Sequence, residues 1–217
     1  MVCVVLMAAA AGAVAKTHVI VLGKSMTVQW LPGMGEEKAV TLKIRPLLVD
    51  GLVKEYVLGS PHEVTERLFV VRRVFRVNDS LPEEPTVRWQ WQRGGWLLVD
   101  RGTGRISAIN LPEFDAFYSA LSWYRDYAAY CGVSDDGKKT YAMVAQISRR
   151  KPVLKTPLSN EGASEGAGPD SACAAPGWQR GPVRVSFEAK GAAKQTFAIR
   201  GHVVDVVSDV EEEDEGK

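Results

Sequence analysis

The chain has 217 residues, 46% of them hydrophobic and 24% charged, an ordinary globular composition with enough apolar material for one sizeable core. A formal net charge of +1 makes nucleic acid an unexpected partner. The three cysteines and three histidines show no CxxC, no HExxH and no histidine pair, so no metal site and no cofactor is expected.

Residues 1–15, MVCVVLMAAAAGAVA, read as a signal peptide: an uncharged apolar run that ends in Ala13-Val14-Ala15, the small-x-small pattern of a cleavage site. No lysine or arginine precedes the apolar core. Either the free amine supplies the charge or the true start lies upstream. The run is shorter than the ~20 residues a membrane-spanning helix needs. The alternative is a buried first strand or helix. Cleavage leaves a mature chain from Lys16 without a membrane span, exported to the periplasm or the extracellular space.

From there the pattern is period two, or short apolar runs between turn residues, which is the strand signal. Residues 16–158 form the expected main β domain. THVIVLG (17–23) and MTVQWLPG (26–33) open it. Residues 39–59 hold Asp50-Gly51 between two β-prone runs, a hairpin cue because both residues tolerate positive φ. Pro46 marks an edge or a bulge, since it has no backbone N–H for a ladder. RLFVVRRVFRV (67–77) is a longer strand and DSLPEEP (79–85) a loop.

VRWQWQR (87–93) alternates, with Trp89 and Trp91 on one face. Gly94-Gly95 reads as a turn, WLLVD (96–100) as the partner strand, RGTG (101–104) as a second turn and RISAI (105–109) as the return, which makes a three-stranded meander. Trp89 and Trp91 are then either core, the preferred reading because Arg88, Gln90 and Gln92 take the polar face, or a stacking platform for sugars, bases or peptides.

NLPEFDAFYSALSWY (110–124) is the one helical candidate. It has a capping-box pair in Asn110 and Glu113, Pro112 in the first turn, and Phe114, Phe117, Tyr118 and Leu121 at helical spacing. Residues 126–133 and 140–147 form a hairpin around SDDGKK (134–139). Asp135 and Asp136 there read as turn formers. KPVLKTPL (151–158) is an outer strand. Residues 159–177 are small and polar, a flexible linker or loop. Residues 178–208 supply closing strands that pack on the main domain. Residues 209–217 hold six acids and one lysine, a solvated disordered tail or a cover for a basic patch. The fold class expected is all-β: antiparallel meanders and hairpins arranged as a partial or degenerate β-propeller or a β-sandwich, with at most one short helix.

Export leaves Cys131 and Cys173 in an oxidising compartment, where two cysteines can pair. One disulfide would tie the segment around Cys173 to the sheet that holds Cys131; two unrelated thiols are the alternative. WLLV, LFVV and YAMVA are apolar on both faces, so their strands need cover on both sides.

Two segments resemble the hairpins of β-propeller blades. GWLLVDRGTGRISAI (95–109) has a strand, an aspartate, a Thr-Gly turn and a second strand. In YAAYCGVSDDGKKTYAMVA (127–145) the turn is similar to the Ser-Pro-Asp-Gly-Lys turn of WD-repeat-like and Tol-type propellers. The chain as a whole resembles uncharacterised exported bacterial proteins. At roughly 40–45 residues per blade the mature chain holds about four blades, and an incomplete or degenerate propeller or a β-sandwich fits as well; the resemblance brings no activity.

The expected function is non-catalytic binding of a protein or glycan in the cell envelope. The candidate binding residues are Trp89, Trp91, Arg149 and Arg150, with Lys151, Arg72, Arg73 and Arg76 widening the basic face. One alternative is a secreted hydrolase using Glu36/Glu37, Glu83/Glu84 or Asp135/Asp136 as paired carboxylates, or Cys131 with His62 as nucleophile and base. The other is a purely structural envelope component.

Overall fold

The computed structural model describes residues 17–30, 40–116, 119–134, 139–158, 173–189, 193–200 and 203–207. The expected signal peptide, the Glu36/Glu37 and Asp135/Asp136 pairs, most of the expected linker and the acidic tail lie outside the described residues.

All the regular structure described is β. In chain order the strands are β1 (Ile20–Leu22), β2 (Met26–Trp30), β3 (Val40–Val49), β4 (Leu52–Glu63), β5 (Leu68–Asn78), β6 (Trp89–Asp100) and β7 (Ile106–Ile109). Then come β8 (Leu121–Tyr124), β9 (Tyr127–Val133), β10 (Thr140–Gln146), β11 (Leu154–Pro157), β12 (Gly177–Arg180), β13 (Val183–Phe187), β14 (Gln195–Arg200) and β15 (Val203–Val207). They form three antiparallel sheets. The first runs β1-β3-β4-β5-β6-β7, with β2 also paired to β3; the second runs β11-β10-β9-β8 and the third β12-β13-β14-β15. The described strands close neither a barrel nor a propeller ring, and the architecture is sandwich-like.

Local chemistry accounts for the turns. Asp50 and Gly51 join β3 to β4 with φ of 51° and 80°, the left-handed pair that a two-residue hairpin requires. The Asp50 carboxylate accepts from the Val19 backbone N–H at 3.0 Å and meets His18 Nδ1 at 2.9 Å, which ties the entry of β1 to this turn. Pro46 sits where the edge of the sheet breaks: β1 pairs with Leu47–Val49, β2 pairs with Val40–Ile44, and the Gly23 N–H reaches the Pro46 carbonyl between them. A bulge follows at once, because Leu47 pairs with Glu55 and Leu48 with Val53, leaving Lys54 unmatched.

Two sequence-based expectations are corrected here. Gly94-Gly95 does not turn the chain. β6 runs unbroken from Trp89 to Asp100 along β5, and the glycines form a bulge between the Val74–Arg93 and Arg72–Trp96 pairs. Two glycines in series are as compatible with an extra strand residue as with a turn, and a long facing strand decides between them. The meander is therefore β5-β6-β7. The helical candidate 110–124 is not a helix either. Pro112 and Glu113 form a turn, with Glu113 at φ 55°, and Leu121–Tyr124 is strand β8. Its apolar residues serve a plug instead of a helical face: Leu111, Phe114, Leu121 and Trp123 cover the buried Ala128, Tyr130, Met143 and Ala145. The Tyr130 hydroxyl donates to the Pro112 carbonyl at 2.7 Å, and burial pushes this phenol up from its ordinary pKa.

The sheets stack face to face. Ala129, Cys131, Val144 and Leu154 of the second sheet pack against Val185, Phe187, Phe197 and Ile199 of the third. Cys131 and Cys173 are disulfide-bonded, with Cα atoms 6.1 Å apart and a sequence separation of 42. The end of the expected linker is accordingly part of the packed structure. Cys173 and Pro176 are buried, and Ser122 Oγ donates to the Pro176 carbonyl. On its other face the second sheet meets the first through Trp123, which lies edge-on to Trp96 with centroids 5.4 Å apart and stacks on His62. LFVV and YAMVA are covered on both sides as expected, with Val70, Val71, Ala142, Met143 and Val144 fully buried, whereas in WLLV Leu97 and Val99 are buried and Trp96 and Leu98 half-buried. The third sheet ends the stack. By alternation its outer face carries Gln179, Arg184, Ser186 and Thr196, opposite the buried Val185 and Phe197.

Candidate functional site

β6 presents Trp89, Trp91 and Arg93 on one face, against Asn78, Arg76 and Val74 of β5. Residues directly opposite across an antiparallel pair come within side-chain contact, and here that places an arginine among indoles. The Arg76 guanidinium lies 5.7 Å from the Trp89 ring centroid and 5.4 Å from that of Trp91. Beyond them the Arg93 guanidinium sits 4.0 Å over Trp30 of β2. Trp91 is edge-on to Tyr56 at 5.2 Å, and the Trp30 indole N–H points at Gln92 Oε1 at 3.4 Å. The result is a layered row of aromatic rings and guanidinium planes, with cation–π attraction between successive layers.

The row grades from buried to open. Trp30 is buried and Trp91 half-buried, whereas Trp89 is 58% exposed. The expectation that both indoles are core thus fails for Trp89. It sits at the start of β6, where alternation puts it on the face of Trp91 and the Arg76 guanidinium lies over its ring, yet more than half of its surface stays open. The loop before it is tightly bonded. Asn78 Oδ1 accepts from Ser80 N and Arg88 N, Gln90 Nε2 donates to Asp79 Oδ2 at 2.7 Å, and Arg88 Nη2 donates to the Asp79 carbonyl. The exposed indole is therefore mounted on a pre-organised hairpin end.

The broader basic face does not assemble. Alternation along β5 puts Arg73 on the face opposite Arg72 and Arg76. Arg76 joins the indoles. Arg73 points to the opposite face and donates to Glu55 at 3.0 Å. Arg72 turns inward, 9% exposed, donating to the carbonyls of Gly94 and Ala116 with its guanidinium 5.6 Å from the Phe114 ring. Burial, and after it the nearby Arg93 charge, lowers the Arg72 pKa to about 10, with Asp115 opposing. Arg149, Arg150 and Lys151 are exposed just past β10, at the end where Ile147 N bonds the Asp126 carbonyl. The same end is marked by His62, whose Nε2–H donates to the Arg125 carbonyl and which pairs with Val70 of β5. Six residues of strand, about 20 Å, separate Val70 from Arg76, so the two candidate groups lie at opposite ends of the sheet.

The cysteine–histidine alternative loses its nucleophile. Cys131 is bonded to Cys173 and offers no thiolate, while His62 is engaged with Arg125 and Trp123. Glu83 and Glu84 are exposed in the β5–β6 loop, where Glu84 accepts from Leu81 N. Among the described residues no group of three or more His, Cys, Asp or Glu is placed to hold a metal ion, and no helix is long and apolar enough to cross a membrane. Sequence reasoning missed Trp30, Tyr56 and Arg93 as members of the row. Only the cross-strand register brings them together.

No family model, no curated protein and no solved structure matches this chain.

Proposed function

We propose that this protein is an exported, non-catalytic β protein that binds a protein or glycan partner of the cell envelope through the face carrying Trp89, Arg76 and Trp91. The observation that carries the reading is the exposure of Trp89 beside a guanidinium it shares with Trp91. An exposed indole beside a bonded hairpin end offers a large contact area at low cost in conformational freedom, the property of aromatic anchors at binding surfaces. The disulfide supports export, because such bonds persist in oxidising compartments.

The test is retention of partner from a fractionated envelope extract and on a panel of envelope glycans, with wild type, Trp89→Ala and the Arg149→Glu/Arg150→Glu pair side by side. Trp89→Ala is expected to weaken binding by about tenfold or more, the loss of a hot-spot contact, and the charge-reversed pair to leave it unchanged. Equal retention of wild type and Trp89→Ala overturns the reading.

A further inference from the structure

On the face of the first sheet away from Trp89 lies an open cavity of about 320 Å³, lined by Lys54, Glu55, Arg73, Leu97, Gly104, Ile106 and Ala108. Its size falls at the lower end of the range for small-molecule sites. The floor is apolar: Leu97 belongs to the buried cluster with Val57, Val71 and Val99, and Ile106 packs against it. Ala108 narrows the space little because its side chain is a single methyl, and Gly104 lines it beside His18. The rim is charged, and the backbone shows why.

Each of the two cations stands at a strand irregularity. Lys54 is the unmatched residue of the bulge between the Leu47–Glu55 and Leu48–Val53 pairs. Strict alternation would put Lys54 and Glu55 on opposite faces; the extra residue lets both line one cavity. Arg73 lies opposite the Gly94-Gly95 bulge, and an added Cβ at Gly94 would stand 3.3 Å from Arg73 Cβ, so the glycine gives the arginine its room. Bulges recur beside binding sites because they re-aim a side chain. The Glu55 carboxylate takes the Arg73 Nε–H, with the guanidinium 5.5 Å from the Phe75 ring centroid, and the hydrogen bond leaves the terminal nitrogens available to an anion. Among the described residues neither Arg73 nor Lys54 has another ionic partner. Two cations against one carboxylate, above an apolar floor, suit a ligand with a single negative charge and an apolar body.

We propose that this cavity binds small carboxylic acids with an apolar tail, the carboxylate between Lys54 and Arg73 and the tail over Leu97, Ile106 and Ala108. The site is independent of the Trp89 face. The probes are octanoate, octan-1-ol and octylamine, titrated into the full chain and followed by backbone amide chemical shifts. Octanoate is expected to shift the amides of Leu97, Gly104, Ile106 and Ala108 with a dissociation constant below about 1 mM. The alcohol and the amine are expected to bind at least ~10-fold more weakly, for want of the charge-assisted contacts. Lys54→Gln/Arg73→Gln should bring octanoate down to the level of the alcohol. Ala108→Phe, an aromatic on an exposed strand position that β-structure accepts, should abolish binding and leave shifts outside the cavity unchanged. Trp89→Ala should bind octanoate as wild type does. Equal binding of acid and alcohol, or octanoate binding that survives Ala108→Phe, overturns the proposal, as does the absence of localised shifts at ~5 mM octanoate.

Discussion

Between the second and third sheets lie Ala129, Val144, Val185, Phe187, Phe197 and Ile199, closed by the Cys131–Cys173 bond. Between the second and the first lie His62, Arg72, Trp96 and Trp123, a mixed layer. In it the Trp96 and Trp123 indole N–H groups are buried without a hydrogen-bond partner among the described residues. One interface is apolar apart from the Trp178 indole N–H at its edge, and it is interlocking and covalently pinned. The other carries a buried charge and polar groups whose desolvation offsets part of what the packing contributes. The difference divides labour. The apolar interface holds the stack together, and the first sheet, with its long bulged strands, spends its residues on presenting side chains.

The largest expected effect falls on the apolar interface. Phe187 is fully buried and edge-on to Phe197, so Phe187→Ala should cost about 3–5 kcal/mol of unfolding free energy, measured by urea titration. A loss under about 1 kcal/mol would show that this interface is not the main support. Next comes the disulfide. The Cys131→Ser/Cys173→Ser pair frees a 42-residue separation and should lower stability by about 2–4 kcal/mol; in the wild type both cysteines should resist thiol reagents until reduced.

The mixed interface should respond differently to two changes at one position. Arg72→Ala leaves the Gly94 and Ala116 carbonyls without their donor and opens space over Phe114, for about 2–4 kcal/mol. Arg72→Met refills the volume without the charge and should recover part of that loss. If both variants cost the same, packing over Phe114 contributes nothing and the donors account for everything. The smallest effect is a pH dependence at the β6–β7 turn. Arg67 and Asp100 form a paired hydrogen bond, which holds the Asp100 carboxyl well below its ordinary range, with the Thr103 hydroxyl and the Gly102 and Thr103 N–H groups adding to it. A depressed carboxylate contributes stability that is present above its unfolded pKa and lost as the pH falls below about 4. Asp100→Asn should remove that share of the acid sensitivity, seen as a flatter plot of urea midpoint against pH.

Much of this molecule was legible from its residues. The Asp50-Gly51 hairpin, the β9–β10 hairpin, the outer strand after Lys151 and the awkward place of Pro46 all follow from signals that act over a few neighbours. The helix expected at 110–124 failed because aromatic spacing reports only that residues are buried together; Phe114 and Trp123 are buried as a plug over Tyr130. The Gly94-Gly95 turn failed because the cue for it is shared with a bulge. Trp89 was assigned to the core on alternation alone, which reports the face of a strand and not whether anything covers it.

Strand content, the Asp50-Gly51 and β9–β10 hairpins and the burial of the central runs were decided by sequence, since each depends on side-chain alternation or on turn residues, whereas the pairing of Cys131 with Cys173 was one of two readings until the fold brought them together. Tertiary structure alone decided which arginine meets which ring, which end of β6 stays open and which two cations share a cavity. Those outcomes depend on register and on single-residue bulges, and one slipped pairing would send every one of those side chains to the other face.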